Sequence, residues 1–195
     1  MAQTDALAAY NAAAGLSYTS DLTGHDLGLV STLLSPLQPG VYKYDSSAEL
    51  TGTLYLNGGG ASNAVYVFQI GSTLKTAPGS SVVIENPGSN DELIWQVVSS
   101  ATLDTTTAFE GNIIADQSIT LNTGATIGCG SALALNGAVT LDNNTITTGC
   151  NGVNGYTPPS TVPEESSTLM LALCLLSLAG GFYLKARHPG LYLKP

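Results

Sequence analysis

A two-residue phrase, Thr-Leu, recurs along this chain and constrains its fold more than any other feature. It reads Thr53-Leu54, then Thr73-Leu74-Lys75-Thr76, Thr102-Leu103-Asp104-Thr105, Thr120-Leu121-Asn122-Thr123 and Thr140-Leu141-Asp142-Asn143. The leucines stand 20, 29, 18 and 20 residues apart. Recurrence at about 20 residues is the mark of a stacked solenoid, in which each coil lays one copy of a short motif on the next. Stacking turns such a motif into a column of like side chains, here threonine.

The segments between the phrases fit that reading. Val65-Tyr66-Val67-Phe68-Gln69-Ile70 and Leu93-Ile94-Trp95-Gln96-Val97-Val98 are β-branched and aromatic runs of strand length. Asn57-Gly58-Gly59-Gly60, Asn86-Pro87-Gly88 and Asn136-Gly137 are turn signals. From Val41 to about Thr148 the pattern predicts short strands and turns, a mostly β, right-handed β-solenoid rather than a hairpin-built sandwich. One helix is expected over residues 4–14, with Thr4 as N-cap, Asp5 at the positive end of the dipole and Gly15 as terminator. Leu7 and Tyr10 are its expected packing residues. Residues 16–40 read as loop.

Charge is sparse: Asp, Glu, Lys and Arg make up 10% of the chain, against about 25% in ordinary globular proteins. Residues 1–163 hold only Lys43 and Lys75 against twelve Asp and Glu, a net charge of −10. Such a body repels nucleic acid, which demands clustered Lys and Arg. No nucleophile motif, metal-ligand cluster or phosphate loop is present. Glu110, Asp116 and Asp142 are the acids from which a glycan-cleaving pair would have to come, but their spacing selects none of them, and turn or cap roles account for all three. His25 stands alone in a loop and His188 in the tail. No catalytic residue, cofactor or metal is therefore assigned. Cys129 and Cys150 flank the last coil and can close a disulfide in an exported protein; two small buried thiols are the alternative.

Residues 151–168, rich in Pro, Ser and Thr, read as an extended linker. Residues 169–184 carry no charge and are followed by Lys185 and Arg187. As a helix they span about 24 Å, short of the ~20 residues usual for a bilayer unless Ser166–Thr168 extend them. The basic tail, residues 185–195, would stay cytoplasmic and leave the body outside. The predicted organisation is a solenoid domain over 1–150, a linker, an apolar membrane helix and a basic tail.

Several stretches resemble the DUF3494 ice-binding proteins: Asp21-Leu22-Thr23-Gly24-His25-Asp26-Leu27-Gly28, Pro39-Gly40-Val41-Tyr42-Lys43-Tyr44, Leu50-Thr51-Gly52-Thr53-Leu54, Val67-Phe68-Gln69-Ile70-Gly71-Ser72-Thr73-Leu74 and Leu135-Asn136-Gly137-Ala138-Val139-Thr140-Leu141-Asp142. The resemblance covers roughly residues 4–148. It implies an irregular right-handed β-solenoid of triangular cross-section, a helix alongside it, and ice binding through a flat solenoid face. Members of that family carry a signal peptide and strands before the helix. This chain starts almost at the helix, so the resemblance also predicts a truncated stack with an open edge. The tail resembles a PEP-CTERM sorting signal at Val162, Pro163 and Glu164, with Glu165 where a second proline is expected. That implies an exosortase-type processing partner and a protein held in the cell envelope or released from it.

Aligning the Thr-Leu phrases gives the expected ice-binding rows. Leucines point inward, and Thr76, Thr105, Thr123 and Asn143 stand outward in one rank. Ala108, Thr126 and Thr145 form a second rank with Gly79 as a gap, and Thr107 belongs to the same rows. A moderate ice binder is the expectation. A surface adhesin and, more remotely, a carbohydrate-active β-helix enzyme are the alternatives, and exposed threonine is also simply a good strand residue.

Overall fold

The computed structural model describes residues 2–60 and 63–148. Among them the chain forms one α-helix, α1 (Ala2–Ala14), a two-residue strand β1 (Ser20–Asp21), and then five cycles of three strands. The cycles are β2 (Gly40–Tyr44), β3 (Ala48–Leu50), β4 (Thr53–Asn57); β5 (Val65–Ile70), β6 (Leu74–Thr76), β7 (Ser81–Glu85); β8 (Glu92–Val97), β9 (Ala101–Leu103), β10 (Ala108–Glu110); β11 (Asn112–Ala115), β12 (Ile119–Leu121), β13 (Thr126–Gly128); and β14 (Ala132–Ala134), β15 (Val139–Leu141), β16 (Thr145–Ile146). Each strand pairs in parallel with its counterpart one cycle away, giving three sheets. Sheet I runs β1-β2-β5-β8-β11-β14, sheet II β3-β6-β9-β12-β15 and sheet III β4-β7-β10-β13-β16. This is a three-faced β-solenoid.

The interior is a set of side-chain columns fixed by register. On sheet I, Tyr42 pairs with Phe68, Phe68 with Trp95, Trp95 with Ile113 and Ile113 with Ala132. The three aromatic rings stack, with centroids 5.2 and 4.1 Å apart, and Phe109 closes on Trp95 from sheet III at 4.8 Å. This column shrinks from aromatic to alanine, and the coils shrink with it. The in-register steps are 26 and 27 residues across the aromatic coils, then 18 and 19. Bulky rings need a wide cross-section, and a wide cross-section needs longer sides and corners.

Sheet I strands are apolar on both faces because α1 covers the outer one. Outward Ile114 and Leu133 pack with Ala6, Ala9 and Tyr10. Glutamines pin both ends of the helix. Gln69 Nε2 donates to the carbonyls of Ala13 and Leu16 at 2.8 Å each, and Gln3 Nε2 to Leu135 O at 2.9 Å. The helix ends at Ala14, and Gly15 N still makes the helical bond to Asn11 O at 3.1 Å. Two helix details differ from the sequence reading. Thr4 lies inside α1, and Leu7 is exposed. The inward stripe is buried Ala6 and Ala13 with half-buried Tyr10, at helical spacing; alanine there lets the helix approach the sheet closely.

Residues 16–40 are more than a loop. β1 pairs with β2 on sheet I, the 3-10 turn Leu27–Leu29 packs on β3 and β4, and Leu37 bridges to Leu56 in parallel with N–H···O bonds of 2.9 and 2.8 Å. The segment therefore makes an irregular coil of its own. Asp26 holds its corner, accepting from Gly28 N at 2.8 Å and Thr51 N at 3.0 Å. Leu27 is fully buried in the core beside Leu50 and Leu54. This segment covers part of the edge of β3 and β4, while β1 is the end strand of sheet I and Leu29, Leu33 and Leu34 are exposed.

The membrane-helix and linker predictions fall on residues 151–184, outside the described residues. Among the described residues no helix is long and apolar enough to cross a membrane.

Candidate functional site

Where sheet II turns into sheet III, successive coils make the same tight turn. Ala77-Pro78-Gly79-Ser80, Asp104-Thr105-Thr106-Thr107 and Asn122-Thr123-Gly124-Ala125 are each closed by an N–H···O bond from fourth residue to first, at 3.2, 3.2 and 3.0 Å. The third residue has positive φ in every case: Gly79 70°, Thr106 55°, Gly124 73°. These are type II turns, whose third position favours glycine or asparagine. Gly52 and Asn143 extend the column at φ 81° and 53°. The turns stack on one another, Gly79 N donating to Thr105 O at 2.9 Å and Thr106 N to Thr123 O at 3.1 Å. Thr105 and Thr123 thus sit at equivalent second positions, half-buried and exposed respectively.

Past the turn, the first outward position of sheet III forms a row. Thr53 pairs with Ser81, Ser81 with Ala108, Ala108 with Thr126 and Thr126 with Thr145. All five side chains are small and uncharged. Thr53 and Ser81 join hydroxyls at 2.8 Å. The neighbouring faces differ. Sheet I lies under α1, and the outward row of sheet II runs Glu49, Lys75, Thr102, Thr120, Thr140, with charge at one end.

Beneath the turns, two threonines are turned into the core. Thr76 pairs with Leu50 and is fully buried, as is Thr107. Their hydroxyls share a hydrogen bond of 2.7 Å, and Asp104 N donates to Thr76 Oγ1 at 2.8 Å. Asn122 Nδ2 and Thr105 N donate to the Asp104 carboxylate, holding its pKa below the usual value. The Thr123 hydroxyl donates to the Asp142 carboxylate one coil on.

This geometry meets its counterpart in known proteins. The ice-binding-like family model matches residues 1–147. The chain belongs to this family. An ice-binding protein of Nostoc sp. (strain HG1) is 50% identical over 185 residues, covering 93% of this chain and 65% of the relative. One of Colwellia sp. is 34% identical, covering 75% and 55%. The crystal structure of an ice-binding protein from the Antarctic ascomycete Antarctomyces psychrotrophicus superposes with a TM-score of 0.67 at 38% identity, over 77% of this chain and 71% of that one. The DUF3494 domain of Shewanella frigidimarina ice-binding protein 1 gives 0.62 at 28% identity, over 76% and 62%. The chain thus spans about 65% of its Nostoc relative's length.

In this ice-binding-like chain, Thr105, Thr123, Asn143, Thr126 and Thr145 lie along one corner and its adjoining sheet, while Thr76 and Thr107 lie underneath. The sequence alignment failed at Thr76 because its phrase is two residues out of step. Leu74 pairs with Ala101, not Leu103, so Thr76 takes an inward leucine's place. The first phrase is displaced further, since Leu54 belongs to sheet III and Leu74 to sheet II. Ser81, not Gly79, fills the second rank beside Ala108, and Thr53 completes it. The sequence reading also passed over Thr106. Its signal was present in the residues beneath and above it, Gly79, Gly124 and Asn143, all types that tolerate positive φ.

Glu110, Asp116 and Asp142 occupy three different parts of the coil: the end of β10, the turn after β11 and the turn after β15. Asp116 accepts from Asn136 Nδ2 at 2.9 Å, and burial raises the Glu110 pKa. Among the described residues no three His, Cys, Asp or Glu group together as metal ligands. Cys129 is disulfide-bonded; Cys150 lies outside the described residues.

Proposed function

We propose that this chain binds ice through the corner turns and the first outward row of sheet III, with Thr105, Thr123, Thr126, Asn143 and Thr145 as contact residues and Thr53, Ser81 and Thr106 completing the surface. The observation that carries this reading is the unbroken, uncharged register Thr53–Ser81–Ala108–Thr126–Thr145. Parallel strands repeat about every 4.7–4.9 Å, so the row presents hydroxyls and methyls at a spacing close to that of an ordered water lattice. β-Branching restricts threonine to few rotamers, so little entropy is lost on docking. The family relationship supplies ice as the ligand. Ala108 breaks the hydroxyl row, consistent with moderate activity.

In the same proposal the body is tethered through the linker and the apolar run of residues 169–184, at a cell surface and subject to exosortase-type processing at Val162-Pro163-Glu164. The basic residues after that run support this orientation. The protein acts as a binder, not an enzyme: Glu110, Asp116 and Asp142 occupy separate parts of the coil.

Replacing Thr123 by Tyr places a bulky ring on the corner turn, and replacing Thr126 by Tyr places one on the flat row. Thermal hysteresis of the folded variants is expected to fall to background. Undiminished hysteresis would sink the assignment of this face.

A further inference from the structure

The corner turn that carries Thr123 is gripped from the next coil by two side chains. Residues 122–125 separate Leu121 from Thr126, but only residues 142–144 separate their register partners Leu141 and Thr145. The last corner is therefore one residue short, and a side chain does part of the missing backbone's work. Asn144 Nδ2 donates to Asn122 O and to Ala125 O at 2.8 Å each, joining both ends of the turn Asn122-Thr123-Gly124-Ala125. Asn144 Oδ1 in turn accepts from Asp142 N, and the Asp142 carbonyl accepts from Gly124 N at 3.2 Å. Asp142 is thus fixed beside Thr123, where its carboxylate accepts from the Thr123 hydroxyl.

We propose, on the reading of the corner and sheet III as the ice face, that Asp142 is a positioning residue for Thr123: it takes the hydroxyl proton, so that this threonine meets its ligand as a hydrogen-bond acceptor beside a methyl group. A carboxylate only accepts, whereas a hydroxyl has one proton and two lone pairs. The Thr123 proton therefore points to Asp142, and lone-pair density in a fixed direction is what Thr123 offers to solvent. The preceding turn reaches the same state by another route. The Thr106 hydroxyl donates to Thr105 O at 2.7 Å, and a carbonyl has no proton to return. Thr106 and Thr123 are both exposed, at neighbouring turns of one column, and both have their protons turned inward. A water lattice docking on the corner must supply O–H donors at these two places. Without Asp142, the Thr123 hydroxyl rotates among about three staggered positions, and docking has to select one of them.

The test is a double-mutant cycle on the full, oxidised chain, read as thermal hysteresis at equal molar concentration with melting midpoints alongside. Asp142→Ala and Thr123→Val are each expected to lower hysteresis at least about twofold, and the double variant to fall no further than the deeper single one. Asp142 acts only through the hydroxyl that Thr123→Val has already removed. A residue that merely held the coil together would give independent losses that track the melting midpoint. Asp142→Asn, which retains an acceptor oxygen, is expected to keep most of the parent's hysteresis. Unchanged hysteresis in folded Asp142→Ala, independent losses in the double variant, or a loss in Asp142→Asn as deep as in Asp142→Ala overturns the proposal. If Asp142→Ala does not fold, Asp142→Ser, with a shorter and uncharged side chain, carries the same cycle. Thr126→Tyr separates this role from the ice face itself. Hysteresis lost in Thr126→Tyr but intact in Asp142→Ala rejects the positioning role alone, whereas hysteresis intact in Thr126→Tyr rejects the face.

Discussion

Thr106 departs most clearly from local preference at this site. A β-branched residue in the left-handed region is an outlier, and such strain persists where function uses it. The turns on either side accommodate it: a Cβ at Gly79 or Gly124 would meet its side chain only at ordinary contact distances of 3.9 and 3.7 Å, and its hydroxyl donates to Thr105 O at 2.7 Å. The conformation costs about 1–2 kcal/mol for an L-residue, partly offset in a Gly variant by about 0.5–1 kcal/mol of unfolded-state entropy. Thr106→Gly is therefore expected to leave the melting midpoint level or raise it slightly, while thermal hysteresis drops because the surface loses an exposed hydroxyl and methyl. Thr76 behaves in the opposite way. Thr76→Val removes the acceptor for Asp104 N and the partner of Thr107, at about 1–3 kcal/mol for buried polar groups left unpaired. Hysteresis at a temperature where the variant is folded should not change, since residue 76 never meets solvent. Chemical denaturation beside hysteresis checks both, and a selective loss of hysteresis in Thr76→Val would restore the rank that the sequence alone implied.

At the scale of elements, alternation identified the inward leucines Leu54, Leu74, Leu103 and Leu121 correctly, because burial on one side of a strand writes itself into every second residue. Leu141 holds the same inward register position as Leu121, and it is exposed because its rung is the last described. The coil over residues 20–37 was not legible, since it is held by two-residue bridges and the carboxylate of Asp26, none of which leaves a periodic trace. Leu27 is its plug. Leu27→Ala is expected to destabilise the fold by about 2–5 kcal/mol through lost burial and a residual cavity, measured by urea denaturation. On β10, burial raises the Glu110 carboxyl above its ordinary value in the folded protein. Between the ordinary and the raised pKa the folded state binds more protons than the unfolded, so the contribution of Glu110 to stability is greatest below that window and declines as pH rises through it. Glu110→Gln should melt above the parent at pH 7 and converge with it towards pH 4, in thermal scans across that range.

For the whole molecule, the taper of the core sets what the stack can be made to do. Coils that carry Tyr42, Phe68 and Trp95 cannot be exchanged with their neighbours, because each ring stacks on the next. The coil of β11, β12 and β13 has no ring in this column, repeats after 19 residues and carries the Thr123-Gly124-Ala125-Thr126 turn entire. In a solenoid each repeat meets only its neighbours, so stability is close to a sum of repeats and interfaces. A second copy of residues 112–130 inserted after Gly130, with Asn for the cysteine of the upstream copy so that the disulfide-forming cysteine still borders the last coil, keeps every column in register: isoleucine on isoleucine, Thr120 on Thr120, Thr126 on Thr126. Asn suits that position because Cys129 has a φ of 52°. The extended protein is expected to retain its parallel-β circular dichroism, to melt within a few degrees of the parent, and to show greater thermal hysteresis at equal molar concentration because the proposed face gains one complete rung. A stable insertion without added hysteresis would mean that ice is held elsewhere than on the stacked turns and sheet III, whatever the single substitutions report.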